Sequence, residues 1–186
     1  MFNATTPAFQ TKNSTNHTVK EEPHFGRLDI RVGKIIDVKK HPDADSLYIE
    51  KVNIGEEQPK IVISGLVKHV SIEEMQNRTA LFLINLKPVK MRGVFSEGMI
   101  MCAHNDAGKV EILIPPPTAQ VGDFVKVDGY ERKPDTQIDA KKKTFQEIQK
   151  NLKTNEKKEA TYKGILWNVA DKGSVVSLSL NNASIC

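Results

Sequence analysis

The strongest constraint on the fold is a series of short apolar segments, each closed off by turn chemistry, running from Leu28 to Val127. The first, LDIRVGKIIDV (28–38), alternates, with Leu28, Ile30 and Val32 on one face and Asp29, Arg31 and Gly33 on the other. A period of two marks a half-buried strand, and Gly33 within it predicts a bulge or bend. KKHPDADS (39–46) is turn chemistry, because Pro42 sets φ while Asp43, Asp45 and Ser46 can bond nearby backbone. LYIEKVNI (47–54) alternates again, and after a turn at Gly55–Pro59 the run KIVISGLV (60–67) reads as an apolar strand. SIEEMQN (71–77) predicts one short helix, with Ser71 as N-cap and Glu74 three residues on to complete a capping box. TALFLINL (79–86), GMIMCA (98–103), VEILIP (110–115) and FVKV (124–127) continue the series of strands. Several short strands, a single short helix and basic connections predict a mainly β fold, a small closed barrel for which residues 27–128 suffice.

Beyond Gly129 the texture changes. KPDTQIDAKKKTFQEIQKNL (133–152) predicts a helix from Ala140 to Leu152, since Phe145, Ile148 and Leu152 follow the spacing of one apolar face. TYKGILWNV and SVVSLSL read as short strands around the only tryptophan, Trp167. These apolar groups must pack on something, and the barrel is the nearest surface. Residues 1–25 are rich in Asn, Thr and Ser, and predict a flexible tail or linker. The expected organisation is thus a tail (1–25), a barrel domain (26–129) and a C-terminal extension packed on it (130–186).

Composition narrows the function. The N-terminal stretch has no apolar core of the kind a secretory signal needs, and no run of eighteen apolar residues predicts a membrane span. Two cysteines, Cys102 and Cys186, are too few for a disulfide framework and wrongly spaced for a zinc site, which suits inert thiols in a reducing cytoplasm. Net charge is +4, from 27 basic and 23 acidic side chains. Residues 139–163 carry eight lysines against four acids, so the whole excess lies there and the rest of the chain sums to zero. Local basic clusters on a mildly basic chain fit either a polyanion partner or a solvated helix face.

The stretch NLKPVKMRGVFSEGM (85–99) places Lys87, Lys90 and Arg92 within six positions, with no acid among them and a strand on either side. Pro88 stiffens this connection and Gly93 allows close backbone approach. Fixed cations at the rim of a β-surface fit the grip of a barrel on a phosphate chain, and Arg31, Lys34, Lys39 and Lys40 add a second basic group. The competing reading is that lysines keep strand edges soluble. His41, Asp43 and Asp45 have no further ligand placed to complete a metal shell and are read as a turn, so neither metal nor cofactor is expected. No nucleophile-elbow, phosphate-loop, dinucleotide or zinc-protease motif is present, and Cys102 reads as a small apolar filler, so nothing argues for an enzyme. Aromatic residues in the strands are few, chiefly Tyr48 and Phe82, which favours recognition of a folded RNA by shape and phosphate over stacking along a single strand.

RLDIRVGKIIDVKKHPDADSLYIEKVNIGE, ISGLVKHV and MQNRTALFLINLKPVKMRGVFSEGMIMCA together resemble the tRNA-binding domain family. That family includes the endothelial monocyte-activating polypeptide II type and the C-terminal extensions of some methionyl- and tyrosyl-tRNA synthetases. DAKKKTFQEIQ, LKTNE and ATYKG resemble the C-terminal part of the same type, so the likeness spans nearly all of the chain after residue 25. The resemblance implies a five-stranded oligonucleotide-binding (OB) barrel with a C-terminal α/β appendage that mimics a dimer partner, hence a monomer. It implies a non-catalytic, cytoplasmic protein that binds tRNA by shape and assists an aminoacyl-tRNA synthetase, in cis or in trans. The family's motif falls on Asn85, Lys87, Pro88, Lys90, Arg92, Gly93, Ser96 and Met99. By resemblance, Lys87, Lys90 and Arg92 neutralise phosphates, Ser96 offers a hydroxyl to backbone or base, and Met99 is a flexible apolar contact or a core residue. Arg31 and Lys34 match basic positions of the family's first strand. RVGKIID (31–37) also partly resembles a heptapeptide linked with cytokine activity, which keeps a protein-interaction or signalling module as the alternative function.

Overall fold

The computed structural model of the protein describes residues 22–186. Its elements are β1 (Ile30–His41), β2 (Ala44–Asn53), β3 (Lys60–Ser64), α1 (Ile72–Met75), β4 (Thr79–Leu83), β5 (Val89–Met91), β6 (Val94–Ser96), β7 (Met99–Ile100), β8 (Cys102–His104), β9 (Val110–Ile112), β10 (Val125–Val127), α2 (Thr144–Gln149), β11 (Leu152–Thr154), β12 (Ala160–Tyr162), β13 (Ile165–Val169) and β14 (Ser184–Ile185). The tail expected over 1–25 falls mostly outside the described residues. Its last residue, Phe25, is buried in a 3₁₀ turn, so the packed region starts earlier than composition suggested.

Five strands form one antiparallel sheet in the order β3-β2-β1-β4-β7. The sheet curls into a nearly closed barrel. Its free edges meet where Glu97 N–H donates to the Ile61 carbonyl (2.7 Å) and Ile63 N–H to Ser96 Oγ (3.0 Å). The turn expected over 39–46 shrinks to Pro42 and Asp43, because β1 and β2 pair from Lys34↔Asn53 out to His41↔Ala44. His41 Nδ1 accepts the Asp43 N–H at 3.0 Å and closes the tip. The bulge lies at Ile36, between Ile35 and Asp37, and not at Gly33. Gly33 is needed for a different reason: a Cβ there would stand 2.7 Å from Phe82 Cδ2 and 2.9 Å from Val52 Cγ1. The missing side chain makes room for Phe82 in the barrel.

The capping box of α1 is present, with Ser71 Oγ accepting the Glu74 N–H and the Glu74 carboxylate accepting the Ser71 N–H. The expected strand 98–103 divides at Met101. Its first half, β7, pairs with β4, and its second half, β8, pairs with β9 and β14 in a second sheet ordered β10-β13-β12-β11-β14-β8-β9. The expected helix 140–152 also divides. Lys143 adopts a left-handed φ of 52° between a 3₁₀ turn (Ala140–Lys142) and α2, and Leu152 begins β11. Phe145, Ile148 and Leu152 nevertheless enter one core, Leu152 from a strand. The segment SVVSLSL is no strand. It forms isolated bridges and is held by Glu111, which accepts from Ser177 Oγ (2.6 Å) and Ser179 N–H (2.8 Å). Burial pushes the Glu111 carboxyl up, but the hydrogen bonds from Ser177, Ser179 and Lys109 outweigh it and hold the group well below the usual carboxylate range.

The apolar side chains gather in two cores on opposite sides of one wall. Ile35, Tyr48, Val52, Val62, Ala80 and Phe82 fill the barrel. Ile30, Val32, Leu81 and Leu83 face the other way, against Phe145, Ile148, Tyr162 and Trp167 of the C-terminal segment. Phe25 sits 5.0 Å from the Trp167 ring and 5.7 Å from that of Tyr162, both tilted as aromatic pairs prefer. The apolar face of the first strand, Leu28–Ile30–Val32, is therefore covered by the C-terminal segment, not by the barrel interior.

Inside the barrel Glu50 is fully buried opposite Val38 and Val62. One carboxyl oxygen accepts from Ser64 Oγ, while Oε2 has no hydrogen-bond partner among the described residues. Burial raises its pKa to about 7, against the downward pull of Ser64. An unfolded glutamate loses its proton near pH 4.3, so above that pH the folded state holds a proton that the unfolded state has lost. Stability is therefore full below about pH 4.3 and falls as pH rises to about 7, by on the order of 3 kcal/mol from this group. Glu50→Gln, neutral throughout, should gain that much on the wild type in urea unfolding at pH 8 and little at pH 5; an equal difference at both pH values would contradict the assignment.

Candidate nucleic-acid interface

The stretch 85–99 is more ordered than a loop. Val89–Met91 and Val94–Ser96 pair as a hairpin in the register Val89↔Ser96, Lys90↔Phe95, Met91↔Val94. Only Arg92 and Gly93 remain to turn the chain, and both have positive φ, 48° and 91°. Two residues in that conformation make the primed turn whose twist matches the flanking strands. Gly93 is required for that backbone angle and not for a close approach, since a Cβ there would meet nothing within 4 Å. Arg92, a non-glycine residue at positive φ, carries its guanidinium at the hairpin tip.

Two of the expected interface residues build the mount for this hairpin. Asn85 is buried and its amide is fully used: Oδ1 accepts the Asp29 N–H (2.9 Å), and Nδ2 donates to the carbonyls of Arg27 and Asp135 (2.9 Å each). Asn85 thus ties the hairpin root to the barrel entrance and to the C-terminal segment. Ser96 is buried too, accepting from Ile63 N–H and donating to the Gly98 carbonyl at 3.0 Å. Its hydroxyl serves backbone. Gly98 completes the seat, because a Cβ there would stand 2.9 Å from the Leu83 carbonyl oxygen.

Lys87, Lys90 and Arg92 are exposed on this hairpin and its root. Among the described residues no carboxylate pairs with any of them. Other cations are differently placed. Arg31 is bound by Asp29 through two hydrogen bonds (2.7 and 2.9 Å) and approaches Glu56 at 3.4 Å. The hydrogen bond to Asp29 raises its pKa against the cost of burial. Arg132 joins the same Asp29 at 2.6 Å, and Arg27 pairs with Asp135 at 2.7 Å. Lys34 is exposed on β1, opposite Asn53 and Thr79, two strands away from the β3 edge where the hairpin sits. Lys39 and Lys40 are exposed further along β1. The eight expected residues thus separate into three free cations together, one free cation on the adjoining sheet, one paired arginine, two buried anchors, and Met99.

Met99 is half-buried and lines a cavity of about 440 Å³ with Val89, Met91, Ile63 and Leu66. Cys102 and Cys186 reach the same cavity, with their backbones doubly hydrogen-bonded at 2.7 and 2.9 Å, and burial pushes both thiols up. On its other side Lys87 and Val89 share a cleft of about 220 Å³ with Ile138, Ala140, Phe145 and Gln146. The exposed Lys141–Lys143 turn therefore borders the hairpin root. Sequence reading overlooked Phe95, which stands directly across from Lys90 with the lysine Nζ 5.7 Å from its ring centre. The available signal was the alternation V-K-M-[RG]-V-F-S around a two-residue turn.

The model of the tRNA-binding domain family matches residues 30–124. The aminoacyl tRNA synthase complex-interacting multifunctional protein 1 of Cricetulus griseus is 49% identical over 159 residues, covering 86% of this chain and 44% of that protein. The cytoplasmic tyrosine–tRNA ligase of Danio rerio is 51% identical over 144 residues, covering 76% of this chain and 27% of that protein. The chain thus spans less than half the length of these relatives. The crystal structure of the C-terminal domain of Plasmodium vivax p43 superposes with a TM-score of 0.80 at 33% identity, covering 87% of this chain and 98% of that one.

Anchors and free cations should separate in stability measurements. Asn85→Ala strands the buried Asp29 N–H and should cost about 2–3 kcal/mol in denaturant unfolding, whereas Lys87→Ala, exposed and unpaired, should stay within about 0.5 kcal/mol of wild type.

Proposed function

Because the chain belongs to the tRNA-binding domain family, we propose that it binds tRNA through the β5–β6 hairpin and assists an aminoacyl-tRNA synthetase, without catalysis of its own. The observation that carries this reading is the placement of Lys87, Lys90 and Arg92. They are exposed and free of carboxylates on a hairpin whose root is clamped by buried hydrogen bonds. The backbone that carries these cations is already ordered before they meet phosphates, and they read backbone, not base edges. Lys34 extends the surface along β1. Arg31 shapes it through Asp29, and Met99 gives it an apolar wall. Asn85 and Ser96 act by positioning the hairpin.

The synthetase link rests on the named relatives, a synthetase-complex protein and a cytoplasmic ligase, which also support a cytoplasmic protein that serves its synthetase in cis or in trans. The division into a tRNA-binding barrel (26–129) and an extension (130–186) is supported by the change in character after Gly129. The extension covers the outer face of β1 and β4, where a second barrel would dock, and so acts as its own dimer partner in a monomer. RVGKIID (31–37) lies within β1, where residues 31–34 pair with β4 and Lys34, Ile35 and Asp37 pair with β2, so a signalling peptide there would first have to leave the sheet.

Total tRNA titrated across a salt series tests the reading. Each phosphate contact lowers the slope of log affinity against log salt by roughly 0.7 to 0.9. Replacing Lys87, Lys90 and Arg92 together by alanine should make that slope shallower by about 2 and abolish binding at moderate salt, while leaving the fold unchanged. Unaltered binding by the triple variant would remove the hairpin from the interface.

A further inference from the structure

We propose that Phe95 is a stacking platform for one unpaired base of the bound RNA, so that the hairpin takes a base as well as phosphates. The inference rests on the tRNA-binding reading and adds a contact of a different chemical kind to it. Alternation along β6 turns Ser96 into the barrel, where it is buried, and Phe95 outward. Phe95 is 56% exposed. Other phenylalanines are treated differently: Phe25, Phe82 and Phe145 lie in the cores, and Phe124, though 39% exposed, has the Arg132 guanidinium 4.5 Å above its ring. Phe95 has only the flexible end of Lys90 beside it, at 5.7 Å.

The surroundings identify the occupant. The ring stands directly opposite the unpaired Lys90 and three residues from the unpaired Arg92 of the turn, a setting that favours an occupant carrying negative charge. A nucleotide supplies both parts, a phosphate for the cation and an aromatic face for the ring. Bases within a duplex are already stacked, so the base is one displayed by a loop, a bulge or a single-stranded end. The strand that carries the ring is held in place, since the neighbouring Ser96 is hydrogen-bonded to Ile63 and Gly98. Lys90 can move from the ring to a phosphate as the base arrives, leaving the ring face open.

The test uses the full chain and total tRNA at fixed salt. Phe95→Ala should weaken binding by about 5- to 150-fold with the salt slope unchanged, and Phe95→Leu should lose nearly as much because it keeps the apolar bulk without the ring. Phe95→Trp should retain affinity and show quenching of its indole emission on tRNA binding, against a wild-type background in which Trp167 is fully buried. Wild-type affinity in Phe95→Ala, full retention in Phe95→Leu, or an unquenched tryptophan at position 95 would overturn the proposal and leave the phosphate reading standing. Absence of tRNA binding by the wild-type protein at low salt would instead remove the tRNA reading and the stacking site together.

Discussion

The structure depends on one strand that is apolar on both faces. In β4, Ala80 and Phe82 point into the barrel, while Leu81 and Leu83 point to the opposite side. A five-residue strand of this kind cannot leave either face in water. Each large aliphatic or aromatic side chain would forfeit about 1.5–3 kcal/mol. The barrel covers one face with Ile35, Val52 and Val62, and the C-terminal segment covers the other with Ile148, Tyr162 and Trp167. The segment after Gly129 is therefore a layer of the fold. Backbone hydrogen bonds tie it to the strands that precede Gly129, since β13 pairs with β10 and β14 with β8 in the second sheet.

That double burial sets where the interface can form. The wall of β1 and β4 is rigid because both its faces are packed, and the chain leaving β4 emerges directly into the hairpin. Asn85, two residues past β4, spends its amide on three backbone groups from two parts of the chain, the barrel entrance and the C-terminal segment. Ser96 then fastens the other hairpin strand to β3. Between these two anchors the turn at Arg92 and Gly93 accepts positive φ at both positions, a conformation that β-sheet twist favours and that one non-glycine residue must tolerate. The result is a short rigid projection with its cations outward. Arg27, Arg31 and Arg132 show the contrasting use of positive charge: they hold Asp135 and Asp29 and fasten the entrance and the extension to the barrel.

Much of this was legible in residue order. Period-two alternation located most barrel strands, the S-x-x-E spacing gave the capping box of α1, and the basic stretch 85–99 marked the candidate interface. What was not legible depended on tertiary pairing. Nothing local tells Met101 to carry one strand from the barrel sheet into the second sheet. Nothing local breaks the helix at Lys143, where a lysine takes a glycine-like backbone angle so that Leu152 can enter β11. The roles of Asn85 and Ser96 were equally hidden, because a polar residue in a basic motif looks available for ligand until its partners are seen. The apolar face of the first strand was identified correctly, but which layer would cover it is a property of the assembled fold.

Amide chemical-shift mapping of the isotopically labelled protein with total tRNA tests most directly where RNA binds. The largest perturbations should fall on Lys87–Ser96 and spread to neighbouring Lys141–Lys143 and to the exposed side of β1. Perturbations confined to the surface around Lys126 and Lys172, with the hairpin silent, would contradict the assignment of the β5–β6 hairpin as the RNA-binding face.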